Sequence, residues 1–210
     1  LLLAVPGSGK TTVLVTRLGY MIFCRGIVPE KILTVTYTVA ATKDMSERFA
    51  SRFGQDLADR LEFRTINGIC ARVIQYYGRK TARTAFSLLT DEKRISAILS
   101  AIYQKAERVY PTEGDLKNVR TLITYIKNRM LNEKEIEALD ETSEIRISAI
   151  YKEYCKHLRE NQLMDYDDQM VYAYNMLRKI PWLLEYFQDQ YPYICVDEAQ
   201  DTSKIQHAII

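Results

Sequence analysis

Residues 4–11 read Ala-Val-Pro-Gly-Ser-Gly-Lys-Thr, with Leu1-Leu2-Leu3 before them and Thr12-Val13-Leu14-Val15 after. A glycine-rich turn set between an apolar strand and a helix is the pattern of a phosphate-binding loop. Gly7 and Gly9 let the backbone turn tightly and aim its N–H groups at phosphate oxygens. In such a loop Lys10 reaches the β- and γ-phosphates, and Thr11 sets its hydroxyl on Mg²⁺. A helix expected from Thr11 to Phe23 adds the positive end of its dipole to the same anion site. The first glycine of the usual pattern is Ala4 here. A plain glycine turn ahead of a helix is the alternative, and the flanking strand and helix argue against it.

The chain of 210 residues is 47% hydrophobic and 27% charged, enough for a packed core. No apolar stretch approaches the ~20 residues of a membrane span. Leu1–Val5 is too short for a signal peptide and has no basic region before it, so it is expected to be the first core strand. A chain that opens inside its own core is expected to be a fragment. Cys24, Cys70, Cys155 and Cys195 show no CxxC spacing, and His157 and His207 have no partner at metal-ligand spacing. All six are expected to be ordinary residues of a reducing cytoplasm. Residues 1–85 carry 13 Lys/Arg against 6 Asp/Glu, whereas the remainder is acidic. A basic first half suits a polyanionic partner, although a solvated face explains it as well.

Along the chain, the first third alternates strand and helix, as α/β folds do. Gly26 and Pro29 end the first helix, and Ile32–Thr38 reads as a β-branched strand. A helix is expected from Ala40 to Phe53, a short strand over Phe63–Ile66, and a helix from Gly68 to Tyr77 closed by Gly78. From Thr90 to Asn161 the pattern is helical throughout. One apolar stripe runs through Ile95, Ile98, Leu99, Ile102 and Tyr103; a second through Val119, Leu122, Ile123 and Ile126; a third through Ile147, Ile150, Tyr151 and Tyr154. Breaks are expected at Tyr110–Gly114 and around Asp140–Ser143. A last helix covers Asp165–Lys179 and breaks before Pro181. Tyr193–Val196 then reads as a buried parallel strand running into Asp197-Glu198-Ala199-Gln200-Asp201.

An acidic pair at the end of an apolar strand complements a phosphate loop. In P-loop NTPases such an Asp holds Mg²⁺ and a neighbouring carboxylate can polarise the attacking water. Asp197 fits the first role and Glu198 the second. For an isolated Asp-Glu pair, solvated carboxylates at a strand end would be the simpler explanation.

Taken in order and spacing, Ala4–Thr12, Thr34–Met45, Thr65–Gly68 and Val196–Ser203 resemble the first motifs of UvrD/Rep/PcrA-type superfamily 1 DNA helicases. Asp197-Glu198-Ala199-Gln200-Asp201-Thr202 resembles that family's Asp-Glu-x-Gln-Asp signature, and Met164–Gln169 resembles the acidic segment preceding it. The resemblance covers essentially the whole chain. It implies a P-loop, RecA-like core over residues 1–85 and 162–210, with an inserted helical subdomain over 86–161. It implies ATP and Mg²⁺ as cofactors, and single-stranded DNA and single/double-strand junctions as partners, with no membrane association. Pro6, Gly7, Ser8, Gly9, Lys10, Thr11 and Thr12 would bind the nucleotide, Thr11 and Asp197 the metal. Lys10, Glu198 and Gln200 would be catalytic. Thr36, Tyr37, Thr38, Thr65, Asn67 and Gly68 would lie on the single-strand track, where hydroxyls bind phosphates and a ring stacks on a base without reading sequence.

Two motifs depart from the family's usual form. Thr38-Val39-Ala40-Ala41-Thr42 stands where Thr-Asn-Lys-Ala-Ala is usual, and Asn67 where a His often precedes the glycine. The chain ends at Ile210, before the family's transition-state arginines, and lacks the glutamine segment that reads adenine. Residues 1–210 alone are therefore expected to hydrolyse ATP negligibly. Arg64 and Arg72 are further candidate counter-charges, and Lys117, Arg120, Lys127 and Arg129 candidates for duplex DNA, with a solvated helix face as the alternative. Two other functions fit a phosphate loop: a small-molecule kinase, which the Asp-Glu-x-Gln-Asp signature disfavours, and a non-catalytic DNA-binding or regulatory module.

Overall fold

A computed structural model describes residues 9–210. The expected first strand and Pro6, Gly7 and Ser8 lie outside the described residues. In chain order the elements begin with α1 (Lys10–Phe23), β1 (Ile32–Thr36), α2 (Val39–Phe53), α3 (Gln55–Arg60), β2 (Glu62–Thr65) and α4 (Ile66–Thr81). β3 (Ser87–Leu88), α5 (Glu92–Glu107), α6 (Glu113–Arg129), α7 (Glu133–Ser143), α8 (Ile147–Glu160) and β4 (Leu163–Met164) follow. The chain continues through α9 (Tyr166–Lys179), α10 (Pro181–Gln190), β5 (Tyr193–Val196) and α11 (Lys204–Ile209). The expected α/β architecture with a parallel sheet is met. Two compact units emerge, one of Leu1–Val73 with Met176–Thr202 and Ile210, the other of Ile74–Asn175 with Ser203–Ile209. The divisions fall inside α4 and α9; the sequence expectation set them at residues 86 and 161.

In the first unit β1 is central, paired in parallel with β2 on one side and β5 on the other. Every residue of β1 is buried, which is why its β-branched sequence shows no polar alternation. Val15 and Leu18 of α1 and Met45 and Phe49 of α2 close a core with Ile32, Ala58 and Leu61. β5 departs from the expected buried strand. Among the described residues it pairs on one side only, and Tyr193 and Ile194 remain 42% and 40% exposed.

The second unit is built on the three apolar stripes. Ile95, Leu99, Ile102, Val119, Ile123, Ile126, Ile147, Ile150 and Tyr154 are buried in one cluster. Two helix starts carry reciprocal capping boxes, Thr112 with Asp115 and Asn132 with Glu135. Gly114 thus sits in the first turn of α6, not in the expected break. α7 likewise runs on to Ser143, and the break follows at Glu144. Gly78 does not close α4 either. A Cβ at Gly78 would lie 2.8 Å from the Arg83 carbonyl oxygen, and Arg83 N–H donates to the Gly78 carbonyl at 3.0 Å. This glycine makes room for the chain folding back over the helix.

Lys127 is the largest correction. Expected on a solvated or DNA-facing surface, it is 3% exposed. Its Nζ lies 2.7 Å from Asp165 Oδ2 and 2.7 Å from Asp168 Oδ1, with the Tyr154 ring 5.3 Å away. Burial alone would push the ammonium down, but the two aspartates prevail and hold it above the ordinary lysine value. The acidic segment that precedes the Asp-Glu-x-Gln-Asp signature therefore neutralises Lys127 of α6. Arg120 is paired as well, to Glu92 at 2.5 Å.

Candidate nucleotide and nucleic-acid site

Parallel strands bring their carboxyl ends to one edge, and open α/β sheets bind ligands there. β1 pairs Thr36 with Thr65 of β2 and Val35 with Val196 of β5. The three segments singled out by sequence, 36–38, 65–68 and 197–201, therefore leave the sheet at the same edge. Asp197 N–H donates to the Val35 carbonyl at 2.9 Å, so the ladder runs one residue past β5 and fixes where the acidic pair begins. Glu198 then turns into the left-handed region, φ 49°, which costs a non-glycine residue energy and recurs at functional turns.

Lys10 meets that pair. It opens α1 after Gly9, whose φ of 80° favours glycine. Lys10 Nζ donates to Glu198 Oε2 at 2.7 Å, and Gln200 Nε2 donates to the same oxygen at 2.6 Å and to Asp201 Oδ2 at 3.1 Å. The hydrogen bond from Lys10, then that from Gln200, hold the Glu198 carboxyl below its ordinary range, and the Glu198 bond raises Lys10. Asp197 moves the other way: burial and then the Glu198 charge push its carboxyl up. The Lys10 ammonium draws it down without offsetting this, so the carboxylate would still gain from a cation. Among the described residues no group of three or more His, Cys, Asp or Glu could hold a metal. Mg²⁺ needs none, since it is commonly bound by one or two carboxylates together with substrate phosphates and water. Thr11 is half-buried beside Lys10, and Thr12 is exposed with its carbonyl accepting from the Thr16 hydroxyl at 2.8 Å.

The segment after β1 is built by hydroxyls. Thr36 is 2% exposed, and its Oγ1 lies 2.6 Å from Thr42 Oγ1 and 3.2 Å from the Thr38 carbonyl oxygen. In this structure Thr36 shapes the loop and presents nothing to solvent. Thr38 caps α2, accepting from Ala41 N–H at 3.0 Å. Tyr37 lies between them, 53% exposed, and its hydroxyl donates to the Asp201 carbonyl oxygen at 2.9 Å. After β2, Thr65 Oγ1 accepts from Gly68 N–H at 3.0 Å, while Asn67 Oδ1 is buried with no hydrogen-bond partner. Arg64 and Arg72 both pair with Glu62, at 2.5 and 2.7 Å, so neither offers a free positive charge. The Tyr37–Asp201 link joins residues 164 positions apart; no local sequence pattern announces it.

A model of the UvrD/REP helicase N-terminal domain family matches residues 1–210. The chain is 30% identical over its full length to the ATP-dependent DNA helicase PcrA of Bacillus subtilis, of which it covers 28%. It is 28% identical to the ATP-dependent DNA helicase PcrA of Staphylococcus aureus strain Mu50, and 29% to that of Staphylococcus epidermidis, covering 29% of each. The chain thus spans less than a third of the length of these relatives.

Proposed function

The chain belongs to the UvrD/REP helicase N-terminal domain family, and we propose that it supplies the ATP-binding part of an ATP-dependent DNA helicase acting in the cytoplasm. That enzyme would couple hydrolysis to movement along single-stranded DNA and to opening of single/double-strand junctions. On this reading residues 1–85 and 162–210 are its RecA-like core and 86–161 an inserted helical subdomain. The observation that carries the proposal is the convergence of Lys10, Glu198 and Gln200 at a sheet edge shared with the exposed Tyr37.

Lys10 would hold the triphosphate, with Pro6, Gly7, Ser8, Gly9 and Thr12 as the other residues expected to bind it. Thr11 and Asp197 would hold Mg²⁺, which would supply charge neutralisation on the phosphates. A triphosphate competes with Glu198 for the ammonium of Lys10, and its greater negative charge favours the exchange. Released from Lys10, Glu198 loses the main influence that depresses its pKa. It becomes a stronger base toward the attacking water, while Gln200 keeps hold of its carboxylate. Tyr37 stacks on a base, Thr38, Thr65, Asn67 and Gly68 meet the backbone, and Thr36 holds the loop.

The test uses Glu198→Gln and Lys10→Ala in the full-length protein. Glu198→Gln should bind a fluorescent ATP analogue like the parent yet hydrolyse ATP ~10²–10⁴ times more slowly at saturating single-stranded DNA. Lys10→Ala should lose nucleotide binding. Parental hydrolysis by Glu198→Gln would remove Glu198 as the base.

A further inference from the structure

Tyr37 reaches in two directions. Its ring stands half-exposed at the end of β1, where a nucleobase could lie against it; its hydroxyl is bonded to the carbonyl oxygen of Asp201. Asp201 ends the short 3₁₀ turn Ala199–Asp201, which also carries Gln200. Gln200 Nε2 grips Glu198 Oε2 at 2.6 Å and Asp201 Oδ2 at 3.1 Å. A continuous set of contacts therefore runs from an exposed ring to the oxygen proposed to take a proton from water. Asp201 N–H donates to the Glu198 carbonyl, and the Thr202 hydroxyl to the Ala199 carbonyl, both within the turn itself. Among the described residues, the Tyr37 hydroxyl reaches the turn from the strand end of β1.

Resting on the helicase reading, we propose that Tyr37 is a positioning residue that couples occupancy of the DNA track to ATP hydrolysis. The ring alone is loosely held, since half of it faces water. A base stacked on it restricts its rotation and so steadies the bond to Asp201. That fixes the turn and the direction in which Gln200 holds the Glu198 carboxylate. Stacking supplies affinity, whereas the hydroxyl supplies coupling. The two are chemically separable, because phenylalanine keeps the ring and lacks the donor.

The experiment compares Tyr37→Phe and Tyr37→Ala in the full-length protein. It reads single-stranded DNA affinity, KM for ATP, kcat at saturating DNA and the thermal midpoint. Tyr37→Phe should keep its midpoint, its KM for ATP and its DNA affinity within about twofold, while kcat at saturating DNA falls about three- to tenfold, the scale of one lost hydrogen bond. Tyr37→Ala should lose DNA affinity as well. Parental kcat in Tyr37→Phe would overturn the proposal, as would a fall in its DNA affinity that accounts for the lost rate. Parental DNA affinity in Tyr37→Ala would overturn it and leave the ATPase reading standing. Absence of any DNA stimulation in the parent would overturn both.

Discussion

Two lysines in this protein make equally short contacts to carboxylates and do opposite things. Lys10 lies 2.7 Å from Glu198, with side chains 23% and 38% exposed; Lys127 lies 2.7 Å from both Asp165 and Asp168, with side chains 1%, 16% and 11% exposed. Distance does not separate them. Burial does. An accessible pair in contact with solvent contributes little to stability and can be exchanged for another anion. A buried cluster is held by its surroundings, and removing one partner strands charge in a medium that cannot solvate it. The first pair therefore suits a ligand that must come and go. The second suits a scaffold joining α6 to the start of α9 within the helical unit.

The largest effect expected from this contrast is on stability. Lys127→Ala should destabilise the protein by about 3–5 kcal/mol, read by urea denaturation. Lys10→Ala should leave the same transition essentially in place. Replacing the whole cluster, with Lys127→Met, Asp165→Asn and Asp168→Asn together, should recover much of the loss, because no unpaired charge is left behind. A mild effect of Lys127→Ala would place Lys127 with the exchangeable pairs.

Glu62 lies between these extremes and gives a smaller, pH-dependent effect. Burial tends to raise its carboxyl, but the hydrogen bonds from Arg64 and Arg72 outweigh this and hold it below the ordinary range. A depressed carboxylate contributes stability that is present above its unfolded value of ~4.3 and is lost as pH falls through the lower folded value. Denaturation midpoints followed from pH 6 downward should therefore fall less in Glu62→Gln than in the parent. Identical pH profiles would show that this half-buried pair behaves like an exposed one.

The same contrast explains what the sequence made legible. Apolar stripes such as Ile147, Ile150 and Tyr154 report burial directly, because helical spacing puts them on one face. Asp197 and Glu198 were legible because an apolar strand runs straight into them. Lys127 was not: it sits on a helix beside other charges, and its partners come 38 and 41 positions later. The two-residue strands β3 and β4 are too short to alternate, and their parallel pairing depends on chain ends far apart in sequence. α10 begins with Pro181 at its first position. The expected break before it is there, at Ile180, but the same proline also starts a further helix that the break hid, since it lacks only an N–H that the first turn leaves unbonded. Thr36 was expected to meet DNA on the single-strand track, but its burial and its bond to Thr42 depend on how the loop folds.

The contrast is tested most directly by the rise in thermal midpoint on adding ATP and Mg²⁺, measured on Lys10→Ala and Lys127→Met in the full-length protein. A ligand that binds only the folded state raises its stability. Lys10→Ala should start at the parental midpoint and fail to rise. Lys127→Met should start well below it and rise by the parental increment. The reverse, with Lys10→Ala starting low and still responding while Lys127→Met starts at the parental midpoint, would contradict the assignment of the two lysines.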